Sequence, residues 1–306
     1  MEIKQIEELL ERFENYLRIE KNKSQGTIKN YLLRLKKLFK WLKENGFQNL
    51  DEEAIFKFRA YLDKKKISIK TQSYYLISLR SFLRFLKKKG FEVLDPEKIE
   101  LPKIPEREIS ILSDEELERL LNAPQGESLK SLRDKAILET LFSTGMRISE
   151  LCSLNRDIEI EKGEIKIRGK GGKIRIVFLS PLAKLYLKKY LEKRKDQNPA
   201  LFVNLSKNKK FERITPRGVQ KLIKYYAKKA GILKKVTPHT LRHQFATDLL
   251  ISGADLRAIQ MLLGHKNIQT TQVYTHLTNR ELKEIHQAFH GRRRRLKNKN
   301  NENKVL

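Results

Sequence analysis

The chain has 306 residues, of which 39% are hydrophobic and 34% charged, so it is long enough for two globular domains. Its 66 Lys and Arg residues exceed its 37 Asp and Glu residues, and the net charge of +29 favours a polyanionic partner, most simply nucleic acid. A lysine-rich proteome is the alternative explanation. The single cysteine, Cys152, excludes an internal disulfide and a multi-cysteine zinc site. No run approaches the ~20 apolar residues of a membrane span, and the N-terminus lacks a signal or transit pattern, so we expect a cytoplasmic protein without a membrane partner.

The first 94 residues predict a small all-α domain. Apolar residues recur at helical spacing in four stretches, which cover residues 2–20, 24–45, 51–62 and 68–89. Ser24 is a typical N-cap, and Gly90 is a typical stop after the fourth stretch. Four helices in about ninety residues predict a four-helix domain.

The polar faces of the second and fourth helices are strongly basic. Acidic residues are concentrated elsewhere, in the first helix and near residues 51–53, and this segregation favours a surface that faces DNA phosphates. An ordinary solvated face is the alternative. The candidate DNA-binding residues are Lys29, Arg34, Lys36, Lys37, Lys70, Arg80, Arg84 and Lys87.

Three prolines and no helical period mark residues 95–112 as a linker, and residues 113–290 form the second predicted domain. A buried helix over 131–143 breaks at Gly145 and resumes at Arg147. Alternating apolar residues then predict a β-hairpin with a glycine-rich turn at 169–172. Further helices are predicted at 182–195, 215–230, 240–252, 255–263, 267–276 and 278–290. The basic tail, 291–306, has no apolar face and is predicted to be disordered, either solvated or in non-specific contact with phosphates.

The segment 237–247 carries the residues on which the functional interpretation depends. His239 and Arg242 are three positions apart and therefore share one face of a helix. His265 and Tyr274 follow within 36 positions of His239. A guanidinium fork, imidazole proton carriers and a phenol nucleophile suit chemistry at an anionic phosphate.

Five motifs in this order resemble the tyrosine site-specific recombinases, and among them the Xer-type enzymes that resolve chromosome dimers. The motifs are FSTGMRISEL at 142–151, GKGGK at 169–173, HTLRHQFAT at 239–247, LLGH at 262–265 and VYTHL at 273–277. The resemblance covers essentially the whole chain. It implies a mainly α fold with a small β-sheet, in which an N-terminal four-helix SAM-like core-binding domain precedes an α/β catalytic domain.

The resemblance also implies a role for each matched residue. Arg147 and Arg242 would hold the scissile phosphate, and Tyr274 would attack it to form a 3′-phosphotyrosine link. Lys170, or Lys173 as the alternative, would protonate the departing 5′ oxygen. His239 would act as a general acid or base for the tyrosine, and His265 would donate to a phosphate oxygen. Glu150 matches an acidic position that supports the active site without touching the substrate. We expect the other histidines (His243, His276, His286 and His290) and Cys152 to be structural.

The cluster of positive charge provides a phosphate site without a metal, and the phosphotyrosine bond conserves the energy of the phosphodiester, so we expect neither a metal nor a nucleotide cofactor. The resemblance implies double-stranded DNA with paired short recombination sites as the partner. Four protomers would assemble on it, as a homo-tetramer or with a paralogue, with or without an accessory activator. Residues 278–290 resemble an element that relatives donate to a neighbouring protomer.

Three other functions share some of these features. An integrase of a mobile element has the same chemistry but often adds an N-terminal arm-binding domain, which the first helix at residue 2 leaves no room for. A type IB topoisomerase shares the chemistry, but the small helical domain and the LLGH-to-tyrosine spacing argue against it. A catalytically silent DNA-binding protein is the non-enzyme alternative, although every catalytic position is filled.

Overall fold

The computed structural model describes residues 6–104, 111–169, 174–206, 211–264, 283 and 286–290. The chain divides into two compact units, residues 1–108 and 109–306. Over the described residues, no helix combines the length and the apolar composition that crossing a membrane requires.

The first unit contains the four helices that the sequence predicts. They are α1 (Ile6–Asn15), which continues as a π-helical turn (Tyr16–Glu20), α2 (Gln25–Glu44), α3 (Glu52–Lys64) and α4 (Ile69–Lys88). The N-caps of α2, α3 and α4 are Ser24, Asp51 and Ser68, and each accepts a hydrogen bond from a backbone N–H three residues on. Short polar caps therefore set where these helices begin.

The core of the first unit is built from aromatic and leucine side chains on one face of each helix. Phe13 is fully buried and meets the ring of Phe82 edge-on, with 5.3 Å between ring centroids. A 3-10 turn (Pro96–Lys98) follows α4, and it places Pro96 and Ile99 in this same core. The beginning of the predicted linker is therefore packed against the helical unit.

The second unit is also mainly helical. Its elements are α5 (Asp114–Asn122), α6 (Leu129–Thr144), α7 (Ile148–Ser153), β1 (Glu164–Arg168), β2 (Ile174–Phe178), α8 (Pro181–Lys193), α9 (Pro216–Lys229), α10 (Pro238–Ile251) and α11 (Leu256–Leu263). Strands β1 and β2 pair antiparallel, with Glu164 opposite Phe178 and Arg168 opposite Ile174. The predicted fold class, mainly α with a small sheet, is confirmed, while the helix predicted at 267–276 lies outside the described residues.

Helix α6 runs through the middle of the second unit, and its residues are buried on every side from Leu132 to Thr144. Its charged side chains are paired, because an isolated buried charge is costly. Arg133 contacts Asp134 with 2.5 Å between Nη2 and Oδ1, and Lys135 lies 3.1 Å from Glu139. This helix ends at Gly145, whose φ of +56° is favourable for glycine.

The end of the chain that the structure describes packs on the second unit of the same molecule. His286 and His290 are buried, as expected for structural histidines. The Nε2 atom of His286 donates to the carbonyl oxygen of Ser143 at 2.6 Å. Phe289 packs beside Phe245 in a small apolar cluster. These residues lie against their own chain in the single protomer, and donation of segment 278–290 to a neighbouring protomer stays a prediction.

Candidate active site

The first turn of α10 presents His239 and Arg242. Thr237 caps the helix by accepting the backbone N–H of Thr240 at 3.2 Å, and Pro238 takes the first helical position, where its missing N–H costs nothing. His239 is exposed, whereas Arg242 is only 7% exposed. The three-residue spacing therefore combines an accessible imidazole with a buried guanidinium.

Arg147 enters the site at the N-cap of α7, directly after the break in α6. Glu150, in the first turn of α7, accepts the backbone N–H of Arg147 at 2.7 Å and its side-chain Nη1 at 3.1 Å. About a third of the Arg147 side chain is accessible, whereas Glu150 is 5% exposed. The glutamate thus fixes Arg147 at the surface from a buried position.

The C-terminal end of α11 joins three arginines into one cluster. The last carbonyls of a helix have no partner within it and carry partial negative charge, which favours cations. The pairs are Arg175 with the carbonyl of Leu262, Arg242 with that of Leu263 and Arg147 with that of Gly264, at nitrogen–oxygen distances of 3.2, 2.7 and 3.4 Å. Three consecutive carbonyls therefore hold three guanidinium groups from different parts of the chain.

Arg175 is the member of this cluster that the sequence analysis missed. It lies on β2, and its Nη1 and Nη2 atoms donate to the two oxygens of Glu150, both at 2.9 Å. In the sequence it is an ordinary polar residue in an alternating strand. Alternation could have placed it on one face of the hairpin, but no signal marked a partner 25 positions away.

The charges of this cluster shift the pKa of its members. Burial alone would raise the pKa of Glu150, but hydrogen bonds from Arg175 and Arg147 outweigh it, and the pKa lies below its ordinary value. Burial, together with the charges of Arg147 and Arg175, lowers the pKa of Arg242 to about 10. Partial burial, followed by the charge of Arg242, lowers the pKa of His239. At neutral pH, His239 is therefore a neutral imidazole beside cationic guanidiniums.

The structure brings together Arg147, Glu150, His239 and Arg242, while Lys170, Lys173, His265 and Tyr274 lie outside the described residues. Gly264, whose carbonyl contacts Arg147, immediately precedes His265 in the sequence. Across the described part of the chain, no group of three or more His, Cys, Asp or Glu residues is arranged to hold a metal ion. Cys152 is buried, and burial raises the pKa of its thiol to about 11, which suits a core residue.

The candidate DNA-binding residues fall into two groups. Lys29, Lys36, Lys37 and Lys70 are exposed on α2 and α4. Arg34 lies over the ring of Tyr74, with 4.9 Å between its guanidinium carbon and the ring centroid. Among the described residues, no carboxylate lies within ion-pair distance of these five side chains.

The remaining three candidates contact acidic residues of the turn after α4. Arg80 and Arg84 both donate to Glu97, and the Arg84 Nη2 atom lies 2.6 Å from Oε1. Lys87 donates to Asp95 at 3.1 Å. The hydrogen bond from Arg84 is the first cause that holds the pKa of Glu97 below its usual range. The expected separation of acidic and basic residues therefore does not extend to the end of α4, where the chain folds back.

Comparisons with known proteins agree with this fold. Residues 110–281 match the phage integrase family, and residues 10–90 match the N-terminal SAM-like domain of phage integrases. The first match spans more than half of the chain, and the second confirms the predicted SAM-like fold of the N-terminal domain. The chain therefore belongs to the phage integrase family.

Several relatives resemble the chain over nearly its whole length. It is 40% identical to the tyrosine recombinase XerD of Oceanobacillus iheyensis over 94% of this chain and 99% of that protein. It is 39% identical to the tyrosine recombinase XerA of Pyrococcus horikoshii over 90% of this chain and 92% of that protein. The chain is also similar to the XerH site-specific recombinase in its crystal structure with the difH substrate. The match has 27% sequence identity and a TM-score of 0.63, and it covers 90% of this chain and 82% of the XerH chain.

Proposed function

We propose that the chain is a Xer-like site-specific recombinase that cleaves and rejoins DNA strands through a covalent bond to Tyr274. The observation that carries the proposal is the arginine cluster, in which Arg147 and Arg242 contact consecutive carbonyls at the end of α11. Two guanidinium groups held in this way suit the non-bridging oxygens of a phosphodiester. The relatives named above support the same reaction class.

In the cleavage step, the Tyr274 oxygen attacks the scissile phosphorus and the bond to the 5′ oxygen of the next nucleotide breaks. His239 accepts the phenolic proton, because its lowered pKa keeps the imidazole neutral near pH 7. Lys170 gives a proton to the departing 5′ oxygen, and His265 donates to a phosphate oxygen. Arg147 and Arg242 stabilise the additional negative charge of the pentacoordinate transition state. Attack by a free 5′ hydroxyl reverses these steps and rejoins a strand.

The exposed lysines of α2 and α4 bind the DNA backbone, and four protomers act on two paired sites in the cytoplasm. Resolution of chromosome or plasmid dimers is the biological role that the Xer relatives suggest. XerH is bound to a recombination substrate in its crystal structure, which supports DNA as the partner. Deletion of the DNA between two directly repeated copies of a candidate site would measure complete recombination.

A nicked suicide substrate tests the chemistry directly. The nick lets the short fragment with the free 5′ hydroxyl dissociate after cleavage, so the strand cannot be rejoined. The covalent protein–DNA adduct then accumulates and is visible on a denaturing gel. The wild type should form the adduct, and Tyr274→Phe should form none while it binds the same DNA. An adduct in the Phe variant would assign the nucleophile to another residue, and a wild type that binds DNA without forming any adduct would favour a DNA-binding protein without strand-transfer activity.

A further inference from the structure

Glu150 is surrounded by donors from two arginines. Its Oε1 atom accepts from Nη1 of Arg147 at 3.1 Å and from Nη1 of Arg175 at 2.9 Å. Its Oε2 atom accepts from the backbone N–H of Arg147 at 2.7 Å and from Nη2 of Arg175 at 2.9 Å. A carboxylate has about four lone-pair sites, so these contacts fill its capacity.

The two arginines share this carboxylate unequally. Arg175 engages it with the parallel two-nitrogen geometry that is typical of strong Arg–carboxylate pairs. Arg147 is left with a single side-chain contact to Glu150, and its Nη2 atom points to the carbonyl of Gly264. The arrangement keeps Arg147 from forming its own two-nitrogen pair with the carboxylate.

Arg175 is itself fixed at both ends of its guanidinium. Its Nε atom donates to the carbonyl of Leu262 at 3.2 Å, and only 13% of its side chain is exposed. Gly264 leaves room for it, since a Cβ atom there would lie 3.0 Å from Cδ of Arg175. All three guanidinium nitrogens of Arg175 already donate to groups of the protein, so we expect its effect on the reaction to pass through these neighbours.

We propose that Arg175 is a positioning residue, which occupies Glu150 so that the guanidinium of Arg147 remains available for the scissile phosphate. This inference rests on the proposed function of the site. If Arg175 is lost, the buried carboxylate keeps Arg147 as its remaining guanidinium partner and draws it into a two-nitrogen pair. The phosphate then loses one of its two guanidinium contacts.

The primary test is the single-turnover rate of adduct formation by Arg175→Gln on the suicide substrate. We expect a loss of about 10- to 100-fold, the size that a displacement of about 1 Å produces in a positioned group. DNA affinity, measured by fluorescence anisotropy, should stay within about twofold of wild type, because each guanidinium nitrogen of Arg175 is bound within the protein. Arg175→Lys restores one contact of the pair and should recover part of the rate.

A methylphosphonate at the scissile position separates positioning from a general loss of structure. This linkage has a methyl group in place of a charged non-bridging oxygen. Its cleavage therefore depends less on a guanidinium contact. Arg175→Gln should therefore be impaired more on the phosphate than on the methylphosphonate, relative to the wild type on each substrate. Equal loss on both substrates would overturn the proposal.

A double variant tests whether the effect passes through Glu150. Glu150→Gln removes the charge that attracts Arg147, so the double variant Arg175→Gln/Glu150→Gln should cleave faster than Arg175→Gln alone, by about tenfold. Additive losses from the two substitutions would contradict the inference. Arg213→Gln is the matched control, because Arg213 donates to the carbonyls of Cys152 and Leu154 at the other end of α7. Arg213→Gln should leave the ratio of the cleavage rates on the phosphate and the methylphosphonate at the wild-type value.

These outcomes separate the inference from the proposed function. If the wild type forms no adduct, the proposed function fails before Arg175 is tested. If the wild type forms the adduct and Arg175→Gln matches its rate, the function stands and the positioning role is wrong.

Discussion

His239 lies beside guanidinium groups whose charges disfavour a further cation. Partial burial and the charge of Arg242 lower its pKa below the ordinary value of 6.5, so the neutral imidazole persists to lower pH than it does in a free peptide. A histidine that removes the proton of a tyrosine must be neutral before the reaction. Partial burial and the guanidiniums that we propose to hold the phosphate therefore both keep the neighbouring histidine ready to accept a proton.

The pH dependence of cleavage follows from this shift. We expect the single-turnover rate of adduct formation to fall on the acid side with a midpoint below pH 6.5, because protonation of His239 removes the base. The free energy of unfolding follows the same direction, because the folded chain binds this proton less readily than the unfolded chain. The contribution of His239 to that free energy is complete above pH 6.5 and is lost as the pH falls through the folded pKa. His239→Gln should remove the acid limb. A limb that persists in this variant would assign the titration to another group.

Gly145 is a second position where one residue has a large effect. Its φ is +56°, and a Cβ atom built there would lie 2.4 Å from Cδ1 of Phe245. Gly145→Ala should lower the free energy of unfolding by about 2–5 kcal/mol. This value is the sum of the cost of a left-handed backbone for alanine and the cost of overpacking against Phe245. The carbonyl of Gly145 accepts from Arg242, so adduct formation should fall as well.

Gly231→Ala is the control for this prediction. Gly231 has a φ of +68° in the same unit, and nothing lies within 4 Å of a Cβ built there. Gly231→Ala should lower the free energy of unfolding only by the cost of the left-handed backbone, about 1 kcal/mol. Urea titration measures this free energy in both variants. Equal losses in the two variants would show that the contact with Phe245 carries no cost.

The limits of the sequence analysis are clear at this scale. The shared helix face of His239 and Arg242 could be predicted from their spacing, whereas Arg147 and Glu150 were identified through a motif that resembles the tyrosine recombinases. Arg175 could not be predicted, since its role depends on contacts with Glu150 and Leu262, which are distant in the chain. Local spacing identifies residues on one element, whereas a hydrogen bond between elements requires the fold.

At the scale of elements, α4 illustrates the same limit. The periodicity of residues 68–89 predicts the helix and its basic face, and both are present. The turn after it had been predicted to be linker, yet Asp95 and Glu97 contact the last basic residues of α4. Sequence composition could not reveal this because the chain reverses direction between the two segments.

The ion pairs at the end of α4 occupy the cations that the sequence predicts to bind DNA phosphates. Glu97→Gln removes the carboxylate charge that Arg80 and Arg84 share, so affinity for double-stranded DNA should rise about two- to fivefold at fixed salt. Glu44→Gln removes an equal charge near Lys40 on α2 and serves as the control. Fluorescence anisotropy measures both. A weaker affinity in Glu97→Gln would mean that the carboxylate instead orients these arginines for DNA.

At the scale of the whole molecule, the two units have separate apolar cores. Ile99 belongs to the core of the first unit, and Leu112 belongs to that of the second. The sequence predicts a boundary at residue 94 from the three prolines and the lack of a helical period in residues 95–112. The packing of Ile99 argues for a boundary beyond it.

Two fragments test where the first unit ends. Fragment 1–104 retains the turn after α4, whereas fragment 1–94 lacks it and exposes the site that Ile99 fills. We expect both to be helical by circular dichroism and fragment 1–94 to be less stable, with the burial of Ile99 alone worth about 1.5–3 kcal/mol. Urea titration measures the difference. Equal stability would show that residues 95–104 contribute nothing to the fold of this unit.

The end of α11 has a consequence for how the site can be switched. This helix has only eight residues, and three arginines are attached to its last carbonyls. The segment that carries His265 and Tyr274 begins at the next residue. A small rotation of this one short helix would therefore shift all three arginine contacts and the attachment point of the segment that carries His265 and Tyr274 in a single motion. In the enzyme that we propose, this shared attachment would make the arginine contacts form or break together.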